Sequence, residues 1–133
     1  MATISKFEDL EVWQMSRIFC QRIHAICMEK PLNSDFSIRD QIKRSSGSTM
    51  DNIAEGFERG GNREFIQFLY IAKGSVGESR SQLYRIEDFG YLSSEEAQNL
   101  RNSAESISNK LSALIKYLES TEKRGIKYKS RKQ

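Results

Sequence analysis

Three observations predict an all-α fold, an antiparallel up-and-down four-helix bundle. Four segments repeat apolar residues at spacings of three and four, short breaks separate them, and no stretch alternates as a strand would. The 133 residues suit one domain whose core needs neither disulfides nor metals. Residues 1 to 120 are assigned to the bundle and 121 to 133 to a basic, flexible C-terminal tail.

In the first helix Val12, Met15, Phe19, Ile23 and Ile26 form one apolar stripe, and Leu10, Trp13, Cys20, His24 and Cys27 a second beside it. A face that wide predicts contacts with more than one neighbour. Pro31, the only proline, breaks the chain inside MEKPLNSDFS. The second helix is expected to start near Ser37, an N-cap with Asp40 three residues on, and to turn Ile38, Ile42, Thr49, Ile53 and Phe57 inward. Gly60, Gly61 and Asn62 are read as its end. The third carries Phe65, Phe68, Leu69, Ala72, Val76, Ser79, Leu83 and Ile86 on one face and stops at Phe89-Gly90-Tyr91. Ser93 or Ser94 caps the fourth, whose seam is Leu100, Ala104, Ile107, Leu111, Leu114 and Leu118.

Composition excludes several classes. Hydrophobic residues make up 38% and charged residues 29%, too balanced for a disordered chain, and no apolar run approaches the roughly 20 residues that span a bilayer. No membrane partner is expected. MATISKFEDLEVW lacks the apolar centre of a secretory signal, which places the chain in the reducing cytoplasm with free thiols. The net charge is +3. From residue 121 onward Lys123, Arg124, Lys127, Lys129, Arg131 and Lys132 oppose Glu122 alone, giving +5, so 3 − 5 leaves −2 for residues 1 to 120. The tail, not the body, offers attraction to phosphates.

Catalytic residues are scarce: one His, two Cys and no arrangement resembling an activated nucleophile. Cys20, His24 and Cys27 share a helical face, but the cysteines lie two turns, about 10 Å, apart, so core packing is the expectation rather than a metal. A di-metal carboxylate bundle requires two histidines. Lys73-Gly74-Ser75 has the wrong order for a phosphate loop. No catalytic residue, metal or cofactor is assigned, and the chain is read as a non-enzyme.

The most informative stretch is QIKRSSGSTMDNIAEGFER, residues 41 to 59. It keeps helical register while placing Gly47, Ser48, Asn52 and Gly56 in the interior, although glycine there costs roughly 1 kcal/mol against alanine. Arg44, Ser48, Asp51, Asn52, Glu55 and Arg59 line one side of this helix; Gly74, Ser75 and Glu78 do so on the third. One reading is a solvated face with pairs such as Glu55 and Arg59, each worth tenths of a kcal/mol. The other is a tight helix contact with a satisfied polar network, within or between subunits, built from Ser48, Asn52, Glu55, Gly56, Arg59, Gly74, Ser75 and Glu78. Gly56 and Gly74 favour the second, because a solvated face would gain from Ala, Lys or Glu.

Three ordered blocks resemble a bacterial family of four-helix-bundle proteins named after members encoded in intervening sequences of 23S ribosomal RNA genes. They are Phe7-x-Asp9-Leu10-x-Val12-Trp13; Gln41-Ile42-x-Arg44-Ser45 with Asn52-Ile53-Ala54-Glu55-Gly56 and Arg59; and Phe65-x-x-Phe68-Leu69-x-Ile71-Ala72-x-Gly74-Ser75-x-x-Glu78. The resemblance covers about residues 7 to 118. It departs between the first two helices, where Lys30-Pro31 and then Asp35-Phe36 replace an aromatic and proline followed by glutamate. The resemblance implies a ring-like homopentamer without enzymatic activity. The family also looks like the accessory variability protein of diversity-generating retroelements, a pentameric barrel that binds a reverse transcriptase and nucleic acid through a basic surface.

The leading expectation is therefore a non-catalytic oligomeric scaffold that contacts structured RNA or a ribonucleoprotein through Arg39, Lys43, Arg44, Arg59, Arg63 and the tail cations. The alternative is a protein-interaction and assembly module with no nucleic-acid role, favoured by the acidic body and the wide apolar face of the first helix.

Overall fold

Each break in the pattern ends a helix for a local reason. In the computed structural model, which describes residues 4–125 with side chains to Thr121, α1 spans Glu11–Cys27, α2 Phe36–Glu58, α3 Asn62–Asp88 and α4 Ser94–Gly125. Short 3-10 turns at Phe7–Asp9 and Leu32–Ser34 precede α1 and α2. Gly60 (φ 90°) and Gly90 (φ 81°) take the left-handed conformation that stops α2 and α3. After α3 the Gly90 N–H donates to Glu87 O and the Tyr91 N–H to Ile86 O, a Schellman closure. Ser93 then caps α4, its Oγ accepting from the Glu96 N–H at 3.1 Å.

Two expected boundaries move. Asp35, not Ser37, occupies the N-cap of α2, and its carboxylate accepts from the Tyr91 hydroxyl at 2.8 Å rather than capping the helix. Asn62 opens α3 instead of closing α2, which leaves Arg59, Gly60 and Gly61 as the whole turn between them. The fourth helix continues through Gly125, past residue 120, where the bundle was bounded from sequence; residues 126 to 133 lie outside the described part.

Consecutive helices pack against one another and α1 closes the ring against α4, with no strand among the described residues. The core runs through Phe19, Ile23, Ile42, Ile53, Leu69, Val76, Leu83, Ile86, Ile107 and Leu111, all at most 1% exposed. On α4 the buried stripe passes through Ile115 rather than Leu114, which is only half-buried. His24 corrects the reading of α1: it is exposed, while Cys27 is buried and Cys20 half-buried. Burial holds the Cys27 thiol up at about 11.

Helix lengths shape the ends of the bundle. At 17 residues α1 is roughly 26 Å long, against roughly 48 Å for the 32 residues of α4. Lys110 meets Glu11 at 3.2 Å, where α1 begins beside α4. Farther along, α4 is held by α3, with the Tyr70 hydroxyl donating to Glu119 at 3.1 Å.

Candidate assembly and nucleic-acid surface

The α2–α3 seam is built from small residues, and its inner half is complete within the chain. A Cβ added at Gly56 would fall 2.5 Å from the Phe68 Cβ and 3.1 Å from Phe65 Cδ1, so glycine is what lets the helices approach there. Farther along, Ser45 and Ser79 Oγ lie 2.7 Å apart, and the Ser45 hydroxyl reaches Gln82 Oε1 at 2.7 Å. Both contacts are met when Ser79 donates to Ser45 and Ser45 to Gln82. Thr49 Oγ1 donates to the Ser45 carbonyl at 2.9 Å. Ser45, Thr49, Ser79 and Gln82 are all buried, and each is satisfied as burial of polar atoms demands.

The outer rim differs. Asn52 Nδ2 donates to the Ser48 carbonyl at 2.8 Å and to Ser48 Oγ at 2.9 Å, and Ser48 Oγ lies 3.0 Å from Ser75 Oγ. These three residues form the polar contact expected from sequence. Glu55 and Arg59 pair with each other, at 2.8 Å with both side chains about half exposed, and the Arg59 guanidinium lies 5.0 Å from the Phe68 ring centre. Glu78 is exposed and has no ion pair or hydrogen bond among the described residues, so it stands outside the network. Nothing lies within 4 Å of a Cβ placed at Gly47 or Gly74; of the glycines expected to give clearance, only Gly56 meets a helix of its own chain.

The five cationic positions expected in the body do not form one patch. Arg39 donates to Asp40 at 2.9 Å and to the Asn33 carbonyl at 3.0 Å, and lies over the Phe36 ring. Arg59 is engaged by Glu55, roughly 30 Å along α2 from Arg39. Lys43, Arg44 and Arg63 are exposed and make no ion pair among the described residues. The side chains of Lys123 and Arg124, and all of Lys127, Lys129, Arg131 and Lys132, lie outside the described part.

Sequence reasoning missed a charged cluster on the opposite edge of α3. Arg101, 5% exposed, donates to Glu87 at 2.7 Å and to Gln98 at 2.8 Å, and its guanidinium lies 4.0 Å from the Tyr84 ring centre. Its Nε is buried without a partner. Hydrogen bonds from Ser94 and Arg101 hold the Glu87 carboxyl below its usual value. The partners come from two helices, so no spacing within one segment announces them. Between α1 and α4 a cleft of about 190 Å³ is lined by Met15, Ile18, Phe19 and Ile107 with Arg22, Ser103 and Ser106 at its polar side. Among the described residues no His, Cys, Asp and Glu side chains group as a metal site, and no helix is long and apolar enough to cross a membrane.

Residues 8–113 match the family profile of the 23S rRNA-intervening sequence protein. No curated protein matches the chain significantly in sequence. Among solved structures, the chain is similar to a protein of unknown function from the S23 ribosomal protein family of Bacteroides thetaiotaomicron, with 26% identity and a TM-score of 0.73 over 79% of this chain and 95% of that one.

Proposed function

The chain belongs to the 23S rRNA-intervening sequence protein family, and from that premise we propose a non-catalytic helical scaffold that self-assembles and contacts structured RNA or a ribonucleoprotein. The observation that carries assembly is the rim of the α2–α3 seam. Gly47 and Gly74 are open above their Cα atoms and immediately precede Ser48 and Ser75, which meet across the seam. Each costs its helix roughly 1 kcal/mol against alanine with no return inside the monomer. A helix of a second copy laid against this rim supplies the return, with Glu55, Arg59 and Glu78 placed to pair across it. The ring-like homopentamer implied by the family resemblance is the assembly proposed.

Exposed Lys43, Arg44 and Arg63, with the tail cations, support an RNA partner. Assembly multiplies weak charge, because several tails held together act as one phosphate-binding surface. The test is RNA binding across a salt series by the full chain and by a version with Lys127, Lys129, Arg131 and Lys132 changed to Gln. Neutralisation is preferable to truncation at residue 120, since α4 continues to Gly125. Binding that weakens with salt and flattens its salt slope on neutralisation is expected; no binding at low salt contradicts the RNA role.

A second reading, a protein-docking module without nucleic acid, is favoured by the α1–α4 cleft and by Ile18, 57% exposed at its edge. A protein partner that stays bound after nuclease treatment distinguishes it.

A further inference from the structure

On the edge of α3 that faces α4, the positions Tyr70, Lys73, Gly77, Arg80 and Tyr84 step by three, four, three and four residues, which puts them in one row. Tyr70 (52% exposed) and Tyr84 (50%) bound it, and Lys73 and Arg80 make no ion pair or hydrogen bond among the described residues. Gly77 is exposed between the two cations, with nothing within 4 Å of a Cβ added there. Both rings are held: Tyr70 donates its hydroxyl to Glu119, and Tyr84 carries the Arg101 guanidinium at 4.0 Å. Anchored rings with an exposed face are stacking platforms that lose little freedom when a base lies on them.

We propose that this tyrosine-bounded row is a binding track for single-stranded RNA, with unpaired bases stacking on Tyr70 and Tyr84 and the backbone phosphates meeting Lys73 and Arg80 over Gly77. The inference rests on the RNA-contacting scaffold above and names the form of RNA it takes. From Tyr70 to Tyr84 the row is roughly 21 Å long, room for a few nucleotides of extended strand. Duplex ends its usefulness to the rings, because paired bases hide the faces that a tyrosine stacks on. Helical spacing places Lys116, exposed, on the facing edge of α4, together with Glu105 and Glu119. Glu119 is occupied by Tyr70, and Glu105 makes no ion pair among the described residues, so it is the carboxylate that opposes phosphate along the track. Glu87 and Asp88 end the row beyond Tyr84. From Lys73 to Tyr84 the track lies on the edge of α3 away from Ser75 and the α2 rim, while Tyr70 stands one helical turn before Gly74 and borders the face used for assembly.

The experiment measures anisotropy of a labelled oligouridylate of about 16 nucleotides and of an RNA duplex of equal length against the full chain, at low salt. Tyr70→Ala is expected to weaken the single strand by roughly fivefold or more, while Tyr70→Phe, which keeps the ring but loses the Glu119 anchor, falls between wild type and Tyr70→Ala. Neither changes duplex binding. Lys73→Ala with Arg80→Ala weakens both RNAs, and thermal melting confirms that each variant folds. Unchanged single-strand affinity in Tyr70→Ala, a preference for duplex, or displacement of the oligonucleotide by polyglutamate as readily as by unlabelled RNA overturns the track and leaves the scaffold standing. Binding of neither RNA by the wild type overturns both.

Discussion

Gly56 and Gly74 lie on the two facing helices of one seam, in opposite surroundings. Around Gly56 the chain supplies its own neighbour, and an added Cβ would meet Phe68 and Phe65; around Gly74 it supplies nothing within 4 Å. The same contrast separates Ser45, Ser79 and Gln82, buried and mutually bonded, from Glu55, Arg59 and Glu78, exposed and bonded to one another or not at all. Small residues inside the seam are explained by packing within the subunit. On its rim Gly74 meets no such neighbour among the described residues, which is why the rim and not the interior carries the proposal of assembly.

The largest expected effect comes from breaking the inner side. Gly56→Leu places a branched side chain where even a methyl group clashes, and urea melts are expected to lose at least the roughly 1 to 3 kcal/mol typical of overpacking, against about 0.5 or less for exposed Lys43→Ala. Equal behaviour of the two would remove the tight contact. Next in size, Ser45→Val leaves Ser79 and Gln82 facing an apolar neighbour and is expected to cost about 1 to 3 kcal/mol in the same assay, whereas Ser48→Ala on the half-buried rim costs less than about 1. If Ser48→Ala costs more, inner and outer halves are not distinct.

A gentler contrast uses acid. The hydroxyl and amide contacts of the α2–α3 seam carry no charge, but Glu87 on the other edge of α3 has its carboxyl held below the usual 4.5 by Ser94 and Arg101. A carboxyl lowered by folding contributes stability that is present above about 4.5 and lost as pH falls through its folded value. The melting temperature of wild type over Glu87→Gln is therefore expected to exceed unity in ratio at neutral pH and to converge as pH falls below 4.5. A difference independent of pH would show that Glu87 acts by shape alone. The smallest expected change is a gain: Gly74→Ala fills open space on an exposed helix face and stabilises the isolated subunit by up to about 1 kcal/mol.

Much of the fold was legible because periodicity reports which face is covered. The seams of α3 and of α4 as far as Leu111 follow directly from Leu69, Val76, Leu83, Leu100 and Leu111, all buried. Periodicity fails where a residue type is ambiguous. His24 belongs by spacing to a stripe with Cys20 and Cys27, yet it sits one step beyond the part of α1 that its neighbours cover, and it is exposed. Arg101 reads as surface by type and is buried, since Tyr84 and Glu87 arrive from another helix to cover and pair it. Within the candidate site, Ser48, Asn52, Ser75 and Gly56 were recognisable as small or polar residues in helical register. Ser45 and Gln82 were not, because a polar side chain gives no sign in one dimension of whether its partner is water or a neighbouring helix. Whether Gly74 clears a helix of its own chain or of a second copy depends on a neighbour that spacing does not name.

Sedimentation of wild type beside Gly74→Leu at micromolar concentration tests the assembly claim most directly. The expected result is a wild-type mass several times the 15.4 kDa of one chain, and a Gly74→Leu variant that melts like a folded protein but sediments at 15.4 kDa. A wild type that sediments as a monomer, or a Gly74→Leu variant that assembles as before, would contradict it.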